Sequence, residues 1–226
     1  DRLIEIQPDE IKNFLALAQV CYQQADYENM NHVCEKAIQL DESNPAAYYL
    51  SGQAFRKLQN PIQAIVMLTK ATVLKENYTE AYLLRAEVLW DMQQANDALE
   101  DIARVLTIQP ENEDALLLKS KIQAALGNKE EAFGALNQVI QNNPFNENAY
   151  LMKGELSIEL KEFESAIENF TEAIELMPEN ARFYQERGRA RLLNGDKNGS
   201  IEDMKKAISL DPEKENLISG NFNNFS

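Results

Sequence analysis

The feature that most constrains this chain is a pattern that returns at one fixed step, legible most cleanly in Ala149 to Pro178, AYLMKGELSIELKEFESAIENFTEAIELMP. That stretch reads as a first amphipathic segment with an aromatic at Tyr150 and a glycine at Gly154, and a break at Lys161-Glu162. A second segment follows, with small residues at Ala166 and Ala173. It predicts one helical hairpin. Laid along the chain in register, it accounts for Ile11 to Lys214 as six consecutive units of equal length without insertion or deletion: 11–44, 45–78, 79–112, 113–146, 147–180 and 181–214. A fixed period of this length belongs to solenoids, in which each unit buries its apolar face only by stacking on its neighbours.

The columns of the repeat carry a steric logic. Counting the positions of each unit from its first residue, position 4 is Phe14, Tyr48, Tyr82, Leu116, Tyr150 and Tyr184. Position 8 is Ala18, Gly52, Ala86, Ser120, Gly154 and Gly188. Position 20 is Met30, Ala64, Ala98, Ala132, Ala166 and Ser200, and position 27 holds only Ala or Val. Small residues let two helices approach closely while the large residue at position 4 fills the space beside the crossing. Asn44, Asn112, Asn146 and Asn180 precede the first helices, and Asp26, Asn60, Asn128 and Asp196 precede the second ones. At these places a side-chain oxygen caps free backbone N–H groups, typically for about 1 kcal/mol. Asn60-x-x-Gln63 and Asn128-x-x-Glu131 read as capping boxes.

These columns, with Pro110, Pro144, Pro178 and Pro212 at position 32, resemble the tetratricopeptide repeat family. The resemblance covers residues 11 to 214 and implies an all-α fold, a right-handed superhelical solenoid of helix-turn-helix repeats whose first helices line a concave groove. Residues 1–10, with Leu3, Ile6 and Pro8 in repeat phase, read as the end of a preceding repeat helix. Residues 215–226 read as a partial cap, with Leu217 and Ile218 covering the last unit, and a frayed tail containing Phe222 and Phe225. The chain departs from the family at position 7, where leucine is preferred: after Leu17 it carries Ser51, Arg85, Lys119, Lys153 and Arg187. Arg85 and Arg187 each precede an aspartate on the partner helix, Asp101 and Asp203, at the same spacing, which predicts an ion pair within each of those hairpins.

Charge and chemistry narrow the function. With 22 basic against 37 acidic residues, the net charge of −15 repels phosphate backbones and anionic lipid. Nucleic acid is excluded as a partner. No apolar run approaches the roughly 20 residues that a membrane span needs. The chain therefore reads as soluble, with its compartment open between cytoplasm and periplasm. Cys21 and Cys34 occupy core-type positions on two helices and read as buried free thiols rather than a disulfide. A hydrolytic triad or zinc site needs histidine or closely spaced cysteines. The single histidine, His32, lies at an outward position, and no glycine-rich phosphate loop is present. The reading is noncatalytic, with no cofactor and no metal.

In the family, ligands commonly touch positions 2, 5, 6, 9, 12 and 13 of the first helix. The resemblance thus implies a concave partner site formed by Tyr22, Tyr49, Arg56, Lys57, Leu83, Glu87, Trp90, Leu117, Lys121, Leu151, Glu155 and Ile158. Its floor is largely apolar from the first unit to the fifth. Arg56 and Lys57 form a basic spot, followed by an acidic one of Glu80, Glu87 and Asp91. Charges at these positions nearly cancel, which leaves the net acidity to the outer surface. A protein or peptide with apolar anchors and alternating charge suits such a groove. Two specialised family roles do not carry over: position 5 has no lysine to clamp the acidic tails of heat-shock chaperones, and position 6 lacks the asparagine ladder of O-GlcNAc transferase. The leading expectation is a protein-interaction scaffold or adaptor. The alternatives are a self-association module forming a homo-oligomer and a regulatory or substrate-presenting domain of a larger protein.

Overall fold

The local signals produce helices of two alternating lengths. In the computed structural model, which describes residues 10–212, these are α1 (Ile11–Gln23), α2 (Tyr27–Leu40), α3 (Pro45–Lys57), α4 (Pro61–Leu74), α5 (Thr79–Asp91) and α6 (Ala95–Ile108). They continue as α7 (Glu113–Ala125), α8 (Lys129–Asn142), α9 (Glu147–Glu159), α10 (Phe163–Leu176), α11 (Ala181–Leu193) and α12 (Lys197–Leu210). The expectations for Leu3, Ile6 and Pro8 and for residues 215–226 lie outside the described residues.

Capping follows the asparagines and aspartates. Asn44 accepts from the Ala46 and Ala47 N–H groups, Asn112 from Ala115, Asn146 from Ala149 and Asn180 from Arg182. At the second helices Asp26, Asn60 and Asp196 accept from Asn29, Gln63 and Gly199. Pro45 and Pro61 stand at first helical positions, where the missing N–H costs nothing. Asn128 is the exception. Its side chain makes no cap to α8, so the expected box with Glu131 does not form. The Asn128 amide instead donates to Gln123 Oε1 at 2.8 Å.

The turn inside each hairpin is the same in all six repeats. Position 15 takes a left-handed backbone: Ala25 (φ 57°), Gln59 (56°), Gln93 (62°), Gly127 (81°), Lys161 (60°) and Gly195 (90°). The residue after it donates back to the carbonyl five positions earlier, as in Asp26 to Cys21, Asn60 to Phe55 and Glu162 to Ser157. Position 15 donates to the carbonyl three earlier. This is the paired-bond C-terminal cap in which glycine is favoured because it has no Cβ to clash. Four repeats adopt it with a side chain present, so packing of the hairpin overrides the local preference.

The helices divide between two compact units, Asp1–Ile122 and Gln123–Ser226. In the first, α1 to α6 pack each against the next, and the first helices also stack as α1 on α3 and α3 on α5. Its core runs from Phe14, Ala18, Met30 and Cys34 through Leu68, Leu84 and Val88 to Ile102, Val105 and Ile122. Cys21 and Cys34 are buried free thiols, and burial pushes the Cys34 thiol up to about 12. In the second unit α8 to α12 pack in sequence and α9 stacks on α11. Its core is built on Tyr150, Phe170 and Phe183, all fully buried. Phe183 occupies position 3, an alanine in four of the other repeats, and its ring meets Tyr150 edge-on at 6.2 Å.

Glycine at position 8 serves the close crossing that the sequence predicts. A Cβ on Gly52 would lie 2.7 Å from Leu68 Cγ, and one on Gly154 would run into the Phe170 ring.

The two hairpin ion pairs form as expected. Arg85 Nη2 and Nε meet the Asp101 carboxylate at 2.6 and 2.7 Å, and Arg187 grips Asp203 in the same two-pronged way at 2.7 and 2.9 Å. Each arginine also reaches the preceding repeat, Arg85 to Thr69 Oγ1 at 2.9 Å and Arg187 to Thr171 Oγ1 at 3.2 Å. One guanidinium therefore ties a hairpin to itself and to its neighbour. Asp203 has a second partner beyond the expected one: Arg191, one turn after Arg187, donates to it at 2.9 Å. The i, i+4 spacing of the two arginines is the available signal.

Candidate functional site: the first-helix groove

Within the first unit, Tyr22 of α1, positions 5, 9, 12 and 13 of α3 and positions 2, 5, 6 and 9 of α5 face one space. An open depression of about 300 Å³ forms there, lined by Tyr22, Tyr49, Gln53, Arg56, Lys57, Glu80, Leu83, Leu84 and Glu87. Six of the expected site residues thus come together: Tyr22, Tyr49, Arg56, Lys57, Leu83 and Glu87. Gln53, Glu80 and Leu84 complete the wall.

The charges in this depression are arranged differently from the expected basic and acidic spots. Arg56 is ion-paired to Glu87 and lies 3.8 Å from Asp91, so α3 and α5 neutralise each other across the groove. Lys57 sits 5.8 Å from the centre of the Tyr22 ring, and Glu80 accepts from the Thr79 hydroxyl. Neither has an ion-pair partner among the described residues. Tyr49 is half-buried, with its ring 5.2 Å from that of Tyr78, and its oxygen accepts from Gln53 Nε2 at 3.0 Å. Burial first, then the Glu80 and Glu87 carboxylates, raises the Tyr49 phenol above its ordinary value. It remains a hydrogen-bond donor at neutral pH.

The other expected residues are placed as follows. Trp90 is half-buried against the cluster of Leu89, Ala98 and Ile102 and does not line the depression. Leu117 is half-buried and Lys121 exposed on α7. In the second unit, Leu151 and Ile158 are corrections: they are only 2% and 8% exposed. Both belong to the cluster that the Phe183 ring completes, so they act as core rather than as anchors on an open floor. Glu155 stays accessible, 4.0 Å from Arg182, while burial and the neighbouring Glu186 raise its carboxyl above the ordinary value. His32 is exposed beside Glu35.

Repeat register, caps and groove geometry together define a class, and sequence comparison agrees. Family models described as tetratricopeptide repeat match residues 11–44, 89–156, 147–180 and 181–214. The chain belongs to the tetratricopeptide repeat family, whose members are generally noncatalytic scaffolds that bind peptides or proteins.

Three solved structures share the fold. PilW, a type IV pilus biogenesis factor, is 16% identical with a TM-score of 0.75, covering 92% of this chain and 97% of its own. PilF of Pseudomonas aeruginosa is 15% identical with a TM-score of 0.73, covering 96% and 97%. YrrB, a tetratricopeptide repeat protein with an unusual peptide-binding site, is 17% identical with a TM-score of 0.62, covering 85% and 98%. No curated protein sequence matches the chain. No helix among the described residues is long and apolar enough to cross a membrane.

Proposed function

We propose that this chain is a noncatalytic adaptor that holds a peptide segment of a partner protein in the depression formed by α1, α3 and α5. The observation that carries the reading is the convergence of two tyrosines and a leucine from three successive repeats on one open floor whose central charges are already paired. Aromatic anchors in a partly desolvated pocket are the residues that dominate binding energy at interfaces. The Arg56–Glu87 pair leaves no net charge at the centre to hold a solvated ion. Selectivity then falls to the flanks, where Lys57 favours an acidic residue of the guest and Glu80 a basic one. The Tyr49 hydroxyl, which already accepts from Gln53, has its own hydrogen to give to a peptide carbonyl. The occupant that fits is a segment with an apolar or aromatic side chain between residues of opposite charge.

The test is a display selection of random peptides on the native chain, followed by titration of the enriched peptides against Tyr49→Ala and Leu83→Glu variants. Enrichment of apolar residues flanked by opposite charges, with affinity lost in both variants, is expected. Peptides that bind both variants as well as the native chain would place the site elsewhere.

A further inference from the structure

The outer face of the second repeat differs from that of every other. On α4, Ile62, Val66 and Val73 are 64%, 52% and 69% exposed, and Thr69 between them is exposed as well. Their alternating steps of four and three put all four on one seam, the 3.5-residue period by which one helix packs along another. At the position of Val66 the other repeats carry His32, Glu100, Gly134, Glu168 and Glu202. The stripe is therefore a property of this repeat and not of the fold.

Charge selects what covers it. The other five second helices each carry at least two carboxylates, whereas α4 carries none and has Lys70 as its single charge. In a chain of net charge −15, carboxylates on a contact face add to the repulsion between two copies; α12 offsets its two with Lys197, Lys205 and Lys206, and α4 has none to offset. The α4 seam alone among them is both apolar and free of carboxylates, and a second copy supplies a matching seam by construction. From these observations we infer that α4 is a self-association surface: two copies pair through Ile62, Val66, Thr69 and Val73. The helix is about 21 Å long at 1.5 Å per residue. One such pair buries less than the roughly 1,200 Å² of a stable interface, so the dimer is reversible. This surface is made by a second helix, apart from the groove of the first helices, and is independent of the adaptor reading.

Sedimentation equilibrium of the full chain between about 5 and about 500 μM, the range suited to a weak interface, tests it. The weight-average mass is expected to climb from 25.7 kDa toward twice that value. Added salt should strengthen the association, because it screens repulsion between the acidic copies. Val66→Glu and Val73→Glu should each hold the mass at the single-chain value across the range with helix content unchanged, since both side chains are exposed. Ile201→Glu, an exposed apolar site on α12, and Tyr49→Ala should leave the association as it is. A native mass fixed at the single-chain value, association weakened by salt, or association undiminished in both seam variants would overturn the inference.

Discussion

The same repeat positions do opposite work in the second and third repeats and in the fifth. At position 5, Tyr49 and Leu83 are half-buried and line an open depression, whereas Leu151 is sealed at 2% exposure. At position 12, Tyr22 in the first repeat is exposed and Arg56 spans to Glu87, but Ile158 is core. The difference goes with a change in the following repeat. After Leu83 comes Ala115 at position 3, and after Leu151 comes Phe183, which is buried in the same cluster as Leu151 and Ile158. The same column of the repeat is thus open in one place and buried in another.

Truncating the sealed residue is the strongest way to break that contrast. Leu151→Ala should cost about 2–5 kcal/mol of stability, the usual range for a buried leucine that leaves a cavity. The half-exposed Leu83→Ala should cost less than half as much. Urea denaturation of both variants measures this, and equal losses would show that the two leucines are not differently covered.

A second contrast lies beneath the first. Gly154→Ala drives a methyl group into the face of a buried phenylalanine ring, and about 1–3 kcal/mol of strain is expected. Gly52→Ala brings its methyl to 2.7 Å from Leu68 Cγ, a milder overlap than that of Gly154 with the ring, and thermal melts should show the smaller loss there.

The groove itself is sharpened by Tyr49→Ala. That change should lower affinity for a selected peptide by about 2 kcal/mol, roughly 30-fold, read by calorimetry at a temperature where the variant is folded, since the ring also packs on Tyr78 and its loss lowers the melting temperature.

The smallest effect concerns Glu155. Its carboxyl is raised by burial and by Glu186, so the folded chain binds that proton more tightly than the unfolded chain does. The stability this group contributes is present at low pH and is lost as pH rises through the raised value. Glu155→Gln should accordingly be slightly more stable than the native chain at neutral pH. The gain should stay below about 1 kcal/mol because solvent screens a half-exposed group, and it should vanish below the ordinary carboxylate range. Melting curves at acid and neutral pH check both signs.

Much of the fold is legible in the sequence because each repeat column answers one steric demand, and six copies of the demand make the register unambiguous. The Arg85–Asp101 and Arg187–Asp203 pairs are legible for a related reason: a charge at a core-facing position must find its opposite, and each arginine has an aspartate across its own hairpin. The left-handed turn at position 15 is hidden because four repeats place Ala25, Gln59, Gln93 and Lys161 where glycine would have announced it. The groove is only half legible. A leucine at position 5 looks the same in sequence whether it is covered, as Leu151 is, or open, as Leu83 is. Pairing of Arg56 with Glu87 is similarly invisible, since both fall on the groove face without a rule for which charges meet across it.

The central claim is that the open floor of α1, α3 and α5 receives the guest and the sealed position on α9 does not. Isothermal titration of one display-selected peptide into the native chain, Leu83→Glu and Ile158→Val tests it most directly. The groove account predicts loss of measurable binding in Leu83→Glu and native affinity in Ile158→Val, with both variants folded by circular dichroism. Native affinity in Leu83→Glu, or a loss confined to Ile158→Val, would contradict it.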